Sequence, residues 1–175
     1  QKEIPNYAWV GLTDPDGRVL VATGGLLEGE DVSSRPWFAA GRKGPAALDV
    51  HEAKLLQRYL APNATEMLRF VDVAAPLYDE QGGFVGVLAA HLSWRWVDEV
   101  RRDVLSTIAD LKDSDLLVLS RDGKVLLGPR AELGAIFDPQ NAEFVSVVSS
   151  TEGMAQFKGL GWSVVARQPE ETAFA

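Results

Sequence analysis

Two oppositely charged residues in the first half of the chain, Arg35 and Asp72, are candidates for binding chemistry. An arginine guanidinium binds a carboxylate through two parallel hydrogen bonds, whereas an aspartate offers acceptor oxygens to an ammonium group. Trp37, two residues after Arg35, would supply a wall beside them. Together they could hold both ends of a zwitterion such as an amino acid. Alternatively, Arg35 and Asp72 form a structural ion pair.

The chain has two histidines, His51 and His91, in different predicted elements. His51 has Asp49 and Glu52 as near neighbours, but ligands so close in sequence seldom share one metal ion. We therefore predict a surface or capping role for His51 and no metal site. His91 ends a predicted strand, and a structural role is the default there. Nothing in the sequence indicates a cofactor.

Catalytic motifs are missing from the sequence. It contains no Gly-x-Ser-x-Gly elbow, no phosphate-binding loop and no His-Glu-x-x-His pair. The segment from Asp14 to Gly17 resembles the start of a calcium loop, but Gly25 stands where the twelfth-position acid is required. We predict that this chain is not an enzyme.

Composition excludes further classes of protein. The 175 residues carry a formal net charge of −8 with no run of lysine or arginine, which argues against binding to nucleic acid. There is no cysteine, so disulfides and thiolate sites are excluded. No apolar stretch reaches the roughly 20 residues that span a bilayer, and no signal peptide is visible. We expect the chain to be part of a longer protein.

The elements that must position the candidate residues repeat along the chain. The segments 12–20 and 119–126 are near copies, each with an Asp-Gly turn between apolar strands, which predicts two hairpins. A third hairpin, with a looser turn, is predicted around residues 78–84. The fold class is therefore α+β, with two modules in tandem. The first module, including a connecting helix, spans residues 1–112, and a smaller second module spans residues 113–175.

Local signals place each candidate on an element. Two serines and Pro36 predict a short helix that starts beside Arg35. A strand over 67–77 carries Asp72, and its Pro76 indicates an edge position or a late bulge. A strand over 84–92 carries His91, and apolar residues three or four apart predict a long helix over 94–111. Of the five tryptophans, all but Trp37 are predicted to lie in the core.

Taken together, the segments 35–38, 69–76 and 82–88 resemble a known family, the double Cache domain. This is the tandem PAS-like sensor of bacterial transmembrane receptors, found outside the membrane. Segment 161–166 resembles the closing strand of its second module, so the resemblance covers nearly the whole chain. It implies two PAS-like modules, each an antiparallel sheet with flanking helices, of which the membrane-distal one binds a ligand.

The resemblance also implies site residues. In the amino-acid-binding branch of the family, the arginine and tryptophan recur with tyrosines and a downstream aspartate. Here Phe38 follows Trp37 where that branch has a tyrosine, and His91 lies closer than Asp72 to the aspartate position. The predicted ligand-binding set is Arg35, Trp37, Phe38, Asp72, Tyr78 and His91. Tyr78 is predicted to sit near the end of a strand, where its hydroxyl could reach solvent.

The expected function is that of a periplasmic small-molecule sensor in a membrane-anchored bacterial receptor. The ligand would be an amino acid, a carboxylate or an amine, and the receptor a homodimer. Its output domain, a diguanylate cyclase or histidine kinase, would lie outside this chain. The alternative is an interaction or dimerisation module whose pocket is filled by its own side chains.

Overall fold

The computed structural model describes residues 6–63, 67–107, 113–153 and 159–174. Contacts divide the chain into two compact units, Gln1–Arg95 and Trp96–Ala175. Each unit contains one antiparallel sheet, of five strands in the first and four in the second. The predicted α+β class with two tandem PAS-like modules is confirmed. The predicted boundary between residues 112 and 113 stays a prediction.

The first unit is a five-stranded sheet with two short helices. Its strand order is β2-β1-β5-β4-β3, and all neighbouring strands are antiparallel. The strands are β1 (Tyr7–Thr13), β2 (Val19–Ala22), β3 (Ala46–Glu52), β4 (Arg69–Tyr78) and β5 (Phe84–Ser93), and the helices are α1 (Pro36–Gly41) and α2 (Lys54–Leu60).

The core of this unit follows from the two-residue period of its strands. On β4 the side chains of Phe70, Asp72 and Ala74 are buried, while their neighbours in sequence are only partly buried. Alternate residues of a strand face the same side of a sheet. Aromatic and aliphatic side chains of α1, α2 and the β2–α1 loop cover this inner face, among them Trp37, Phe38 and Leu56. A polar residue, Asp72, therefore lies in the middle of an apolar face.

The hairpin turns differ in detail from the prediction. Gly17 and Gly123 have φ angles of 91° and 77°, but Asp16 and Asp122 are not among the residues with positive φ. A two-residue type I′ turn would need positive φ at both positions. Instead, Asp14 Oδ1 accepts the backbone N–H groups of Asp16 and Arg18 at 2.9 and 2.8 Å. The side chain at the start of the turn holds it, and glycine occupies its last, left-handed position.

Pro76 lies on a central strand, not at an edge of the sheet. The pairing of β4 with β3 ends at Ala74, so no strand on that side requires a backbone N–H from residue 76. The register with β5 then shifts between Leu77 and Tyr78. The predicted late bulge is present, and the predicted edge position is wrong.

The second unit is a four-stranded sheet in the order β7-β6-β9-β8. Its core contains Leu117, Leu119, Val125 and Val165. Trp96 is 40% exposed, contrary to its predicted core position. No helix within the described ranges is both long and apolar enough to cross a membrane. The elements of this part of the chain are α3 (Arg95–Thr107), β6 (Asp115–Leu119), β7 (Val125–Leu127), β8 (Phe144–Ser150), β9 (Ser163–Pro169) and α4 (Glu170–Ala173).

A buried arginine on β9 organises the polar contacts of the second unit. Arg167 is 7% exposed and donates two hydrogen bonds to the carboxylate of Glu132, at 2.8 and 2.6 Å. Donating these hydrogen bonds to the Glu132 carboxylate raises the pKa of Arg167 above its already high normal value, and the charge of Asp115 adds to this. The guanidinium also lies 4.3 Å from the centroid of the Phe144 ring. Arg167 is thus charged wherever the protein folds.

Replacing Glu132 by glutamine is expected to destabilise the protein by about 2 kcal/mol, the usual contribution of a hydrogen-bonded charged pair. The substitution keeps the shape of the side chain but leaves the buried guanidinium without its bidentate partner. Urea unfolding followed by circular dichroism measures the change. Glu143→Gln, at an exposed residue next to β8, is the matched control and should change stability by less than about 0.5 kcal/mol. Equal effects of the two substitutions would contradict the assignment.

Candidate functional site

A cavity of about 670 Å³ lies in the first unit. The start of α1, the strand β3 and the helix α2 form its walls, and Asp72 of β4 and His91 of β5 reach it from the inner face of the sheet. The volume falls in the range of small-molecule binding sites. Four of the six predicted binding residues line this cavity: Arg35, Trp37, Asp72 and His91.

Asp72 and His91 form a buried polar pair. They are direct cross-strand partners on β4 and β5, so their side chains share the inner face. Asp72 is 2% exposed and His91 5% exposed, and the Nδ1 of His91 donates a hydrogen bond to Oδ1 of Asp72. A buried carboxylate needs such partners because leaving water costs it several kcal/mol. The pair therefore satisfies Asp72 from within the protein.

His51 completes a His–Asp–His cluster. Its Nε2 lies 3.4 Å from Oδ2 of Asp72, so each oxygen of that carboxylate has a histidine partner. The His51 side chain is 40% exposed, in keeping with the predicted surface position, but it also reaches Asp72, a contact that the sequence did not predict. The reason is a register shift in β3: Leu48 pairs with Asp72, but the next partner, of Phe70, is His51 instead of Val50. The extra residue turns the His51 side chain to the inner face.

Among the described residues, no three side chains of histidine, aspartate or glutamate are grouped so that they could hold a metal ion.

Aromatic rings fix the position of His91. The Trp9 ring centroid lies 5.0 Å from that of His91, with the Trp37 and Phe70 centroids at 6.0 and 6.1 Å. Trp9 is fully buried, and its indole N–H donates to the carbonyl of Leu26 at 2.9 Å. Gly11 follows on the same face, where any side chain would overlap the indole ring. The imidazole is thus held by packing as well as by Asp72.

Arg35 is exposed and immediately precedes α1. Its backbone is extended (φ −78°, ψ 137°), as expected for a residue before a proline, and its carbonyl accepts the N–H groups of Phe38 and Ala39. Its guanidinium has no hydrogen-bonding or ionic partner among the described residues. The predicted alternative of a structural ion pair with Asp72 is wrong, since Asp72 binds histidines instead. Arg35 thus lines the cavity with its charge unpaired as far as the structure describes the chain.

Phe38 and Tyr78 are not brought to the cavity. Phe38, 1% exposed, is a core residue that contacts the edge of Trp37, because α1 turns it toward the sheet. Tyr78 is 58% exposed and contacts Phe84. It lies six residues beyond Asp72 on β4, which at the usual rise of a strand is roughly 20 Å away. The structure gives neither residue a place at this site.

Four further charged residues line the cavity: Asp49, Glu52, Lys54 and Arg58. All four are exposed. Lys54 and Arg58 lie one helical turn apart on α2 and, like Arg35, have no hydrogen-bonding or ionic partner within the described ranges. Asp49 accepts the backbone N–H of Val50 at 2.8 Å. The floor of the cavity is therefore aromatic and polar, and its mouth carries exposed charged side chains.

No family model and no curated protein matches this chain. Several solved structures are similar to it in fold. An extracellular ligand-binding receptor from Desulfohalobium retbaense aligns with 94% of this chain at 15% identity and a TM-score of 0.67, and the chain spans 30% of its length. Another is the ligand-binding domain of the Pseudomonas aeruginosa amino acid chemoreceptor PctB in complex with L-Arg. The alignment covers 97% of this chain and 74% of the PctB domain, at 19% identity and a TM-score of 0.63.

A third similar structure is a domain of a putative sensory box/GGDEF family protein from Vibrio parahaemolyticus. The alignment covers 98% of this chain and 75% of the Vibrio domain, at 10% identity and a TM-score of 0.63. Extracellular domains of histidine kinases are similar as well. The chain therefore has the fold of Cache-type extracellular sensor domains, as predicted from its sequence, and these neighbours are sensor domains, not catalytic ones.

Proposed function

We propose that this chain is the extracytoplasmic small-molecule-sensing domain of a membrane-anchored signalling protein. The observation that carries the proposal is the cavity of the first unit, which is lined both by Arg35 and by the buried Asp72–His91 pair; the Arg35 guanidinium has no partner in the described part of the chain. A buried hydrogen-bonded pair flanked by aromatic rings supports a preformed site. An open volume of about 670 Å³ supports ligand binding over the interaction-module alternative, in which side chains would fill the pocket.

Four predicted residues keep a role in this proposal. Arg35 binds an anionic group of the ligand, Trp37 contacts its body, and the Asp72–His91 pair forms the polar floor. The ligand favours one arrangement of the domain over another, and the output domain reads the resulting shift in population. A diguanylate cyclase or histidine kinase as output, a dimeric receptor and a periplasmic location all belong to the proposal.

Ligand binding is tested by a thermal-shift screen of the purified chain against amino acids, small carboxylates, amines and purines. A ligand at about 100 times its dissociation constant stabilises the folded state by roughly 2.7 kcal/mol. Arg35→Gln is expected to abolish the shift without lowering the melting temperature of the free protein, because the side chain is exposed and unpaired. Arg95→Gln, also exposed but outside the cavity, is the control and should leave the shift intact.

A folded protein that responds to no compound would overturn the proposal and favour the interaction module. A shift that survives Arg35→Gln would place the ligand elsewhere in the chain.

A further inference from the structure

We infer that the cavity takes an organic carboxylate with an apolar body and no ammonium group. This inference rests on the proposed function and specifies its ligand. It differs from recognition of an amino acid whose ammonium group would be bound by Asp72, the buried acid of the cavity.

The first argument is that Asp72 is not free. Its side chain is 3% exposed, and both of its oxygens face histidine nitrogens, Oδ1 that of His91 and Oδ2 that of His51. An ammonium group keeps its hydration unless acceptors replace the lost water. To reach Asp72, a ligand would have to displace a histidine from a buried carboxylate. The deepest acid of the cavity is therefore closed to a ligand cation.

The second argument is the charge at the mouth of the cavity. Three cations there, Arg35, Lys54 and Arg58, have no hydrogen-bonding or ionic partner among the described residues. These three exposed cations outnumber the two exposed acids of the cavity lining, Asp49 and Glu52. A planar guanidinium with free N–H groups matches the geometry of a carboxylate. The guanidinium and ammonium donors at the mouth of the cavity therefore favour an anionic ligand.

The third argument is the apolar wall. Burial of a hydrocarbon body against such side chains contributes about 25 cal/mol per Å² of apolar surface, whereas a strongly hydrated small anion would gain nothing from it. The ligand should therefore carry a branched aliphatic or aromatic group besides its carboxylate. The side chains of the wall are Leu27, Val32, Trp37, Leu48, Leu55 and Leu56.

The test uses matched ligands that differ in one group. The aromatic series is 3-phenylpropanoate, L-phenylalanine and 2-phenylethylamine, and the aliphatic series is 4-methylpentanoate, L-leucine and 3-methylbutylamine. Calorimetry with the purified chain is expected to show the carboxylate of at least one series binding ten times more tightly than its amino acid, with no binding of the amine.

Each outcome bears on the inference. Tighter binding of the amino acid or the amine would overturn it while leaving the proposed sensing function standing. So would a response to another ligand, such as a purine, with none to either carboxylate. If no compound of the wider panel binds, both the inference and the proposed function fail.

A specificity variant tests the cause. His51→Ala frees Oδ2 of Asp72, and because the His51 side chain is 40% exposed, its removal is compatible with folding. The preference for 3-phenylpropanoate over L-phenylalanine is expected to fall at least threefold in this variant. Lys43→Gln, at an exposed residue outside the cavity, should leave the preference unchanged. An unchanged preference in His51→Ala would show that the engagement of Asp72 does not set the selectivity.

Discussion

Asp72→Ala and His91→Ala are each expected to lower the free energy of unfolding by about 3 kcal/mol, and the double variant by little more than either alone. The two side chains are buried and hydrogen-bonded to each other. Removing Asp72 leaves His91 without its acceptor, and removing His91 leaves Asp72 with His51 alone beside it. Removing both relieves most of that penalty. Urea unfolding of the four proteins gives the coupling energy directly.

Arg35 provides the matched comparison for this double-mutant cycle of Asp72 and His91. Arg35→Ala should cost less than about 0.5 kcal/mol, because an exposed side chain without a partner contributes little to stability. Its effect should add to that of Asp72→Ala within the same margin. Coupling between Arg35 and Asp72, or additivity between Asp72 and His91, would contradict the arrangement described above.

Trp9→Ala is expected to destabilise the protein by about 4 kcal/mol, the usual cost of removing a buried tryptophan. Trp9 is fully buried, packs against the rings of His91 and Trp37, and donates to the Leu26 carbonyl. Trp9→Phe keeps a ring but loses this hydrogen bond, and should cost less than half as much. Denaturant unfolding measures both.

Trp96→Ala is the control for the effect of Trp9. The same substitution is made there at a side chain that is 40% exposed, so the loss should stay below about 1 kcal/mol. Because Trp9 packs against His91, Trp9→Phe should also lower the affinity of the first unit for any ligand that it binds, whereas Trp96→Ala should leave that affinity unchanged. Similar costs for the two alanine variants would contradict the assignment of Trp9 to the core.

Most of the fold could be predicted because its signals are local. The alternation of β4, the helix start at Pro36 and the turns that end in Gly17 and Gly123 each depend on a few neighbouring residues. The turn type was the exception: the Asp-Gly pair indicated a two-residue turn, but Asp14 holds a longer one. Side-chain hydrogen bonds to the backbone compete with the preferences of the central residues.

The site could be predicted in part. Arg35, Trp37, Asp72 and His91 were nominated one by one and meet at one cavity, while Phe38 and Tyr78 do not reach it. Sequence reasoning paired Arg35 with Asp72 by their opposite charges. The charges along a chain do not show which residue lies nearest to a buried acid in the fold. Here the nearest partner of Asp72 is a histidine on the adjacent strand, His91.

By itself the sequence determined the two modules, the strands that carry Asp72 and His91, and the helix start beside Arg35, since each follows from the period and turn chemistry of a short segment. Only the tertiary structure decided which of these side chains meet. One extra residue in β3 turns His51 inward, because a shift by one residue in a strand reverses its faces. Such a register shift depends on the strand that β3 pairs with, so it cannot be predicted from the sequence of β3 alone. The contacts that engage Asp72, and with them the expected preference of the site, therefore belong to the assembled sheet.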